Sequence, residues 1–207
     1  MKPAKPLILS HALALFNAEG VSGVPMRKIA NAAGISPGNL TYHFPSREAL
    51  IVALHSQMLQ TAQQLNAELK QGPMTLERLL ESMRIGFRVV YAYRFFLVDL
   101  PLIMRTYPKL RQHFREVADI RKQMYVQAFQ QAHAEGWMRE EAYSGEYDEL
   151  IDRIRIFSDF WVVSAEVYED EDESSTISRH LRLFMNLLFP YLHAAGQAEF
   201  DRLRPSI

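Results

Sequence analysis

Apolar residues recur along this chain at intervals of three and four, and no stretch of four to eight residues alternates as a strand would. The pattern predicts an all-α protein of about nine helices. Ile8, Leu9, Ala12, Leu13 and Phe16 form a first stripe, closed at Glu19-Gly20. Met26, Ile29, Ala30 and Ala33 form a second, stopped by Gly34 as a left-handed cap. Ser36-Pro37 opens a brief third helix, with serine capping and proline at the first helical position, and Pro45 stops it. Ser46 caps a fourth, where Glu48 in the first turn suits the macrodipole; Leu50, Leu54 and Met58 line it to about Lys70.

Gln71-Gly72-Pro73 is the clearest break in the pattern. Thr75 then caps a helix on which Met74 and Leu79 are placed as a hydrophobic staple. Leu76, Leu80, Met83, Phe87 and Val90 carry it toward Asp99, and Pro101 and Pro108 bracket a short segment. A long helix over 108–134 presents Leu110, Phe114, Val117, Met124 and Ala128 on one side and ends at Gly136. Two further helices are expected over 146–167 (Leu150, Ile154, Phe157, Trp161, Ala165) and 176–194 (Ile177, Leu181, Phe184, Leu188, Tyr191). The acidic run 169–173 separates them, its carboxylates read as solvated, and Pro190 kinks or ends the second.

Composition narrows the function classes. With 48% apolar residues in 207, the chain buries a real core and is not a disordered one. The absence of cysteine excludes a disulfide framework, a thiolate metal site and a cysteine nucleophile, and suits a reducing cytosol. Ser10, His11 and Asn17 interrupt the apolar N-terminal run, so it reads as a helix and not as a signal peptide. No run approaches the roughly 18 apolar residues of a membrane span, so a soluble, cytoplasmic protein is expected. The net charge of −1 conceals an asymmetry. Residues 1–50 hold five cations against two carboxylates, whereas 139–173 hold thirteen carboxylates against Arg139, Arg153 and Arg155. Such a chain is oriented on a polyanion by its basic end, although two ordinary solvated faces give the same counts.

Residues 25–50, PMRKIANAAGISPGNLTYHFPSREAL, combine two short helices about a glycine turn with a capped start to a longer one. Two helices so joined suit the insertion of the second into the DNA major groove. The N-terminal third resembles the DNA-binding domain of the TetR (tetracycline-repressor-like) family of bacterial regulators. The resemblance rests on Ile8, Ala12, Phe16, Gly20, Ile29, Ala30, Ala33, Gly34, Ile35, Ser36, Gly38, Leu40, His43, Phe44, Arg47, Glu48 and Leu50. ISPGNLTYHF looks like a subgroup with Gly-Asn-Leu in its recognition segment, and residues 93–110 are similar to the start of that subgroup's C-terminal domain. Two positions depart from the family pattern: Val24-Pro25 stands where threonine or serine usually opens the second helix, and Thr41 where a phosphate-touching tyrosine is common.

The resemblance implies a helix-turn-helix domain over 1–50 and a C-terminal effector-binding and dimerisation domain over 51–207. Ser36, Pro37, Gly38 and Asn39 begin the recognition helix, with Asn39 as the base reader, since an amide pairs with adenine through two hydrogen bonds. Plain turn chemistry is the alternative for Gly38 and Asn39. Thr41 and Tyr42 reach phosphate, or for Tyr42 a thymine methyl, while His43 either reaches DNA or packs on Phe44 and Pro45. Arg47 at a helix N-terminus, with Arg27 and Lys28 early in the second helix, are the expected phosphate contacts, the alternative being solvated side chains. Partners are then double-stranded DNA with a palindromic operator, a second copy of the chain, and a small, largely apolar effector. Phe87, Tyr91, Phe95, Met104, Phe114, Met124, Tyr125 and Trp161 are the candidate cavity lining, with Arg94, Asp99 or His113 as polar anchors; ordinary core packing is the alternative.

No Gly-x-Ser-x-Gly, phosphate-cradling glycine loop or His-Glu-x-x-His is present, so neither an enzyme, a cofactor nor a metal is expected. The reading is a transcriptional regulator, a repressor released by its effector. The alternative is an all-helical ligand-binding or protein-interaction module with weak DNA binding.

Overall fold

The computed structural model describes residues 4–67 and 75–206. These residues form eleven α-helices: α1 (Ala4–Gly23), α2 (Met26–Ala32), α3 (Pro37–His43), α4 (Arg47–Leu65), α5 (Leu76–Ala92), α6 (Phe95–Val98), α7 (Leu100–Thr106), α8 (Pro108–Ala134), α9 (Glu146–Tyr168), α10 (Glu173–Leu188) and α11 (Ala194–Leu203). Among the described residues there is no strand, only an isolated antiparallel bridge between Met138 and Leu192. The all-α expectation holds, but the count is eleven and not about nine. The stretch expected to extend helix α5 to Asp99 is broken into the single turn α6, the segment between the prolines is the helix α7, and α11 follows a 3-10 turn over Phe189–Tyr191. Lys2, Lys70, the Gln71-Gly72-Pro73 break and the staple residue Met74 lie outside the described residues. No helix among the described residues is long and apolar enough to cross a membrane.

The helices form two compact units. One comprises the described residues up to Gln63 together with 92–114, the other the remainder. In the first, α1 buries Ile8, Ala12 and Phe16, which meet Ile29, Ala30, Leu40, Leu50 and Leu54 from α2, α3 and α4 within one core. At Gly20 the helix is interrupted by a left-handed residue with φ 72°. A side chain there would be strained, and its Cβ would come within 3.2 Å of Asp99 Oδ2. The interruption frees the Val21 N–H, which donates to that carboxylate at 2.6 Å. Asn17 completes the join: its Nδ2 donates to the Ala92 carbonyl at 2.8 Å and its Oδ1 accepts from the Phe95 N–H at 3.1 Å. The two Asn17 bonds satisfy backbone groups exposed where the chain turns between α5 and α6, which is why the long helix stops short, and the Asp99 bond satisfies the Val21 N–H of α1. The Phe95 ring then rests 5.2 Å from that of Phe16.

The second unit is built on aromatic packing. Phe87 of α5 stacks on Trp161 of α9 at 4.9 Å and meets Phe184 of α10 edge-on at 5.6 Å. Helix α10 starts three residues earlier than its apolar pattern indicates, because Asp172 caps it by accepting from the Ser174 and Ser175 N–H groups at 2.9 and 3.2 Å. The acidic run is therefore not only solvated. Asp172 is a cap, and the buried Glu169 carboxylate lies 3.3 Å from Arg179 and 3.6 Å from His180. Helix α11 docks through Gly196, which sits so close to the Trp137 carbonyl that no Cβ fits.

A clasp organises the turn between α8 and α9. Arg139 grips Glu146 with two bonds of 2.8 and 2.7 Å, Glu146 also accepts from the Ala142 N–H at 2.7 Å, and the Arg139 Nε donates to the Pro190 carbonyl at 2.9 Å. The Arg139 hydrogen bonds, aided by the Ala142 N–H, hold the Glu146 carboxyl at about 2 instead of 4.5. A carboxylate with a depressed folded value stabilises the native state above its unfolded value, and that contribution is lost as pH falls through the folded one. The stability gap between the native chain and Glu146→Gln is thus expected to be full above about pH 5 and to close as pH falls toward 2. Urea unfolding across that range checks this; a gap independent of pH would refute the assignment.

Candidate nucleic-acid interface

The end of α2 and all of α3 are shaped by local rules legible in their residues. Gly34 adopts φ 66°. Its N–H donates to the Asn31 carbonyl at 3.1 Å and the Ile35 N–H to the Ala30 carbonyl at 3.0 Å, a Schellman closure that turns the chain sharply out of α2. Ser36 then caps α3, its Oγ accepting from the Asn39 N–H at 3.1 Å, with Pro37 in the first turn. Leu40 is the buried anchor of this seven-residue helix, and Phe44, also buried, closes it in extended conformation before Pro45. With Leu40 inward, the neighbouring positions on α3 turn outward.

Ser36, Pro37, Gly38, Asn39, Thr41 and Tyr42 are all exposed, Tyr42 at 85%. An aromatic ring that exposed is outside the core of the first unit. The Asn39 carboxamide makes no hydrogen bond among the described residues, so its donor and acceptor are both free. His43 is half-buried, its ring edge-on to Tyr42 at 5.2 Å. The Thr41 hydroxyl donates back to the Pro37 carbonyl at 2.9 Å, which occupies the one donor expected to reach outward.

The cations divide. Arg47 is the first residue of α4, half-buried at the helix start that Ser46 caps through the Ala49 N–H at 3.1 Å. Partial positive charge from that N-terminus adds to its guanidinium. Arg27 is exposed on α2. Lys28, by contrast, is engaged with Glu19 of α1 in an ion pair. Asn17, which in the sequence only interrupts the apolar N-terminal run, is the residue that ties α1 to the turn before α6; an amide one position past a buried phenylalanine was the available signal.

The candidate effector residues fall in both units. Phe95, Met104 and Phe114 belong to the first, where Phe95 packs on Phe16 and Phe114 lies 5.8 Å from Phe96. Phe87, Tyr91 and Trp161 stack together in the second, and Met124 is 56% exposed. An apolar crevice of about 20 Å³ touches Tyr125, Phe129 and Phe184. That is room for about one water molecule, far below the few hundred Å³ of a typical ligand pocket. Of the polar anchors, Asp99 is bound to the Val21 N–H, and the His113 ring lies edge-on to the buried His55 at 5.4 Å.

Comparisons with known proteins agree with this geometry. Residues 8–54 match the family model described as bacterial regulatory proteins, tetR family, and 55–200 match that of a bacterial transcriptional repressor, TetR. The HTH-type transcriptional regulator RutR of Escherichia coli K12 is 47% identical over 55 residues, 27% of this chain and 26% of that protein. The regulator UidR of the same strain is 29% identical over 99 residues, 48% of this chain and 50% of UidR. These matches thus span about a quarter and a half of the curated relatives. Among solved structures, a TetR-family transcriptional regulator from Marinobacter aquaeolei VT8 superposes with TM-score 0.87 at 23% identity, over 100% of this chain and 98% of that one. The ketosteroid transcriptional regulator KstR2 of Mycobacterium tuberculosis follows at TM-score 0.67 and 19% identity, over 93% and 97%. At such identities the superpositions speak for the fold.

Proposed function

This chain belongs to the tetR family of bacterial regulators, and on that premise we propose that it is a cytoplasmic, homodimeric repressor that a small, largely apolar effector releases from a palindromic operator. The observation that carries the reading is the outward face of α3: an anchored helix that exposes the Tyr42 ring and an Asn39 carboxamide with no hydrogen bond among the described residues. Gly38-Asn39-Leu40 and Tyr42-His43-Phe44 support our assignment of the chain to a subgroup with Gly-Asn-Leu in its recognition segment. In this reading residues 1–50 read DNA, and 51–207 bind the effector and dimerise. Ser36, Pro37, Gly38, Asn39 and Tyr42 enter the major groove with His43 beside them, while Arg27 and Arg47 take phosphates. Thr41 and Lys28, already bonded within the chain, contribute less.

Dimerisation has support in the second unit. Ile156, Phe160 and Val167 leave an exposed apolar stripe along α9, and Leu183 adds to it from α10. Two copies of such a helix pair form an isologous four-helix interface, which sets two readers about 34–36 Å apart, or a multiple, on a palindrome. The cluster around Phe87, Tyr91 and Trp161 is the proposed site at which an effector opens the core and shifts the spacing of the readers.

Selection of bound fragments from the source genome tests the reading. A palindrome with half-sites at that spacing is expected, with a dimer by mass in solution. Arg47→Ala is expected to weaken binding evenly across sequences and to reduce the salt slope by about one. Binding without sequence preference, or a monomer at micromolar concentration, would instead favour the interaction-module alternative.

A further inference from the structure

The second unit carries an open groove that none of the roles above uses. It lies between the C-terminal half of α8 and the start of α9 and has a volume of about 420 Å³. That is within the roughly 300–1,000 Å³ typical of small-molecule sites. Its floor is apolar and aromatic: Val126, Phe129, Tyr147 and Ile151. The Phe129 and Tyr147 rings meet edge-on at 5.7 Å, and the Tyr147 hydroxyl is held by the Arg139 carbonyl, so this floor is fixed in place by the same clasp that closes the α8–α9 turn.

Charge complements that floor. Three carboxylates line the groove, Glu140, Glu141 and Asp148, beside the neutral amide of Gln130 and the exposed His133. Glu140 is exposed and its carboxylate has no hydrogen bond or ion pair among the described residues. Glu141 commits one oxygen to the Tyr147 N–H at 2.8 Å, and Asp148 lies 3.3 Å from Lys122 Nζ. Arg139, the other nearby cation, is saturated by Glu146. The Tyr147 phenol registers the field: burial pushes it up, Arg139 opposes this, and Glu141, Glu146 and Glu140 each push it further up. Past Ile151 lies a smaller cleft of mixed charge, lined by Arg121, Lys122 and Arg155 together with Asp119 and Asp152.

We propose that the groove between α8 and α9 binds a small organic cation with an apolar body, its ammonium held by Glu140 and Asp148 and its body lying on Phe129 and Tyr147. Aromatic rings and carboxylates both attract such a cation, whereas an anion meets three carboxylates and a neutral molecule gains the floor without the charge. This site is separate from the Phe87 cluster proposed for the effector, and it rests on the regulator reading only for a consequence at the operator.

Calorimetry of the full chain with benzyltrimethylammonium, benzyl alcohol and benzoate tests it. The cation is expected to bind about tenfold more tightly than benzyl alcohol, and benzoate to give no heat. Glu140→Gln with Asp148→Asn, both exposed positions, is expected to weaken the cation about fivefold or more without changing Tm. Lys122→Ala, which removes the compensating charge, is expected to strengthen it. Equal affinity for the alcohol, an undiminished affinity in the double variant, or no heat from the cation would overturn the site. The regulatory consequence is read separately: release of bound DNA by the cation ties the groove to regulation, and binding that leaves DNA affinity unchanged keeps the site and removes only that tie. A chain that binds no DNA at all defeats the repressor reading and leaves the calorimetric result standing.

Discussion

Replacing Phe16 by alanine is expected to lower stability by about 3–5 kcal/mol. The ring is 1% exposed and packs 5.2 Å from Phe95, between α1 and the turn that carries α6. Removal of a buried ring costs its transfer energy plus that of the cavity left behind, and the cavity term depends on whether the surroundings collapse. Here they are held apart. Asn17 fixes the Ala92 carbonyl and the Phe95 N–H, and Asp99 fixes the Val21 N–H, so Phe95 cannot slide into the vacancy. Asn17→Ala, by comparison, leaves two backbone groups to find other partners, at roughly 1–3 kcal/mol for each that stays buried and unpaired. Calorimetric melts of both variants check the ranking. A loss below about 1 kcal/mol for Phe16→Ala would mean that the core relaxes freely around it.

Asn39→Ala is expected to have the second large effect, on DNA and not on folding. Its side chain is exposed and bonds nothing among the described residues, so stability is expected to change by less than about 0.5 kcal/mol. In the proposed reader the amide makes two hydrogen bonds to an adenine, at about 1–3 kcal/mol of discrimination. A symmetric dimer uses it twice, so roughly 2–6 kcal/mol of operator affinity is at stake, from about thirtyfold upward. The loss should be confined to the cognate sequence, and choice at one base pair of each half-site should relax. Titration against the selected operator and variants at that pair measures both. An equal loss on unrelated DNA would assign Asn39 to backbone contact or to turn chemistry.

The two changes contrast because they probe different kinds of information. The elements of the reader are locally encoded. Gly34 was legible as a left-handed stop, Ser36 and Ser46 as caps and Pro45 as a terminator, and each acts in the structure at its expected position. Helix α8 likewise begins at Pro108 and ends at Ala134 as the pattern indicated, between a proline and a glycine. Where the expectations missed, the cause was a partner distant in sequence. Helix α5 stops early because Asn17, seventy-five residues away, takes the Ala92 carbonyl. Helix α11 is short and depends on the close approach of Gly196 to Trp137, a contact that no local periodicity signals. Asp172 was read as a solvated carboxylate, since a cap and a surface charge look alike until the helix it starts is placed.

The sequence by itself determined an all-helical chain, the cap-and-turn grammar that sets α3 after α2, and the identity of the side chains α3 has to offer. Those follow from steric and hydrogen-bonding rules acting within a few residues. Only the tertiary structure decided which side chains of α2 and α3 are engaged: Asn39 has no hydrogen bond among the described residues, Thr41 is turned back on Pro37, and Lys28 is engaged by Glu19. It alone decided that the aromatic residues of α5 and α9 stack on one another while an acid-rimmed groove stands open beside Phe129 and Tyr147. The physical reason is that exposure and pairing depend on which groups from distant parts of the chain come to share the same space, and a spacing pattern holds no record of that.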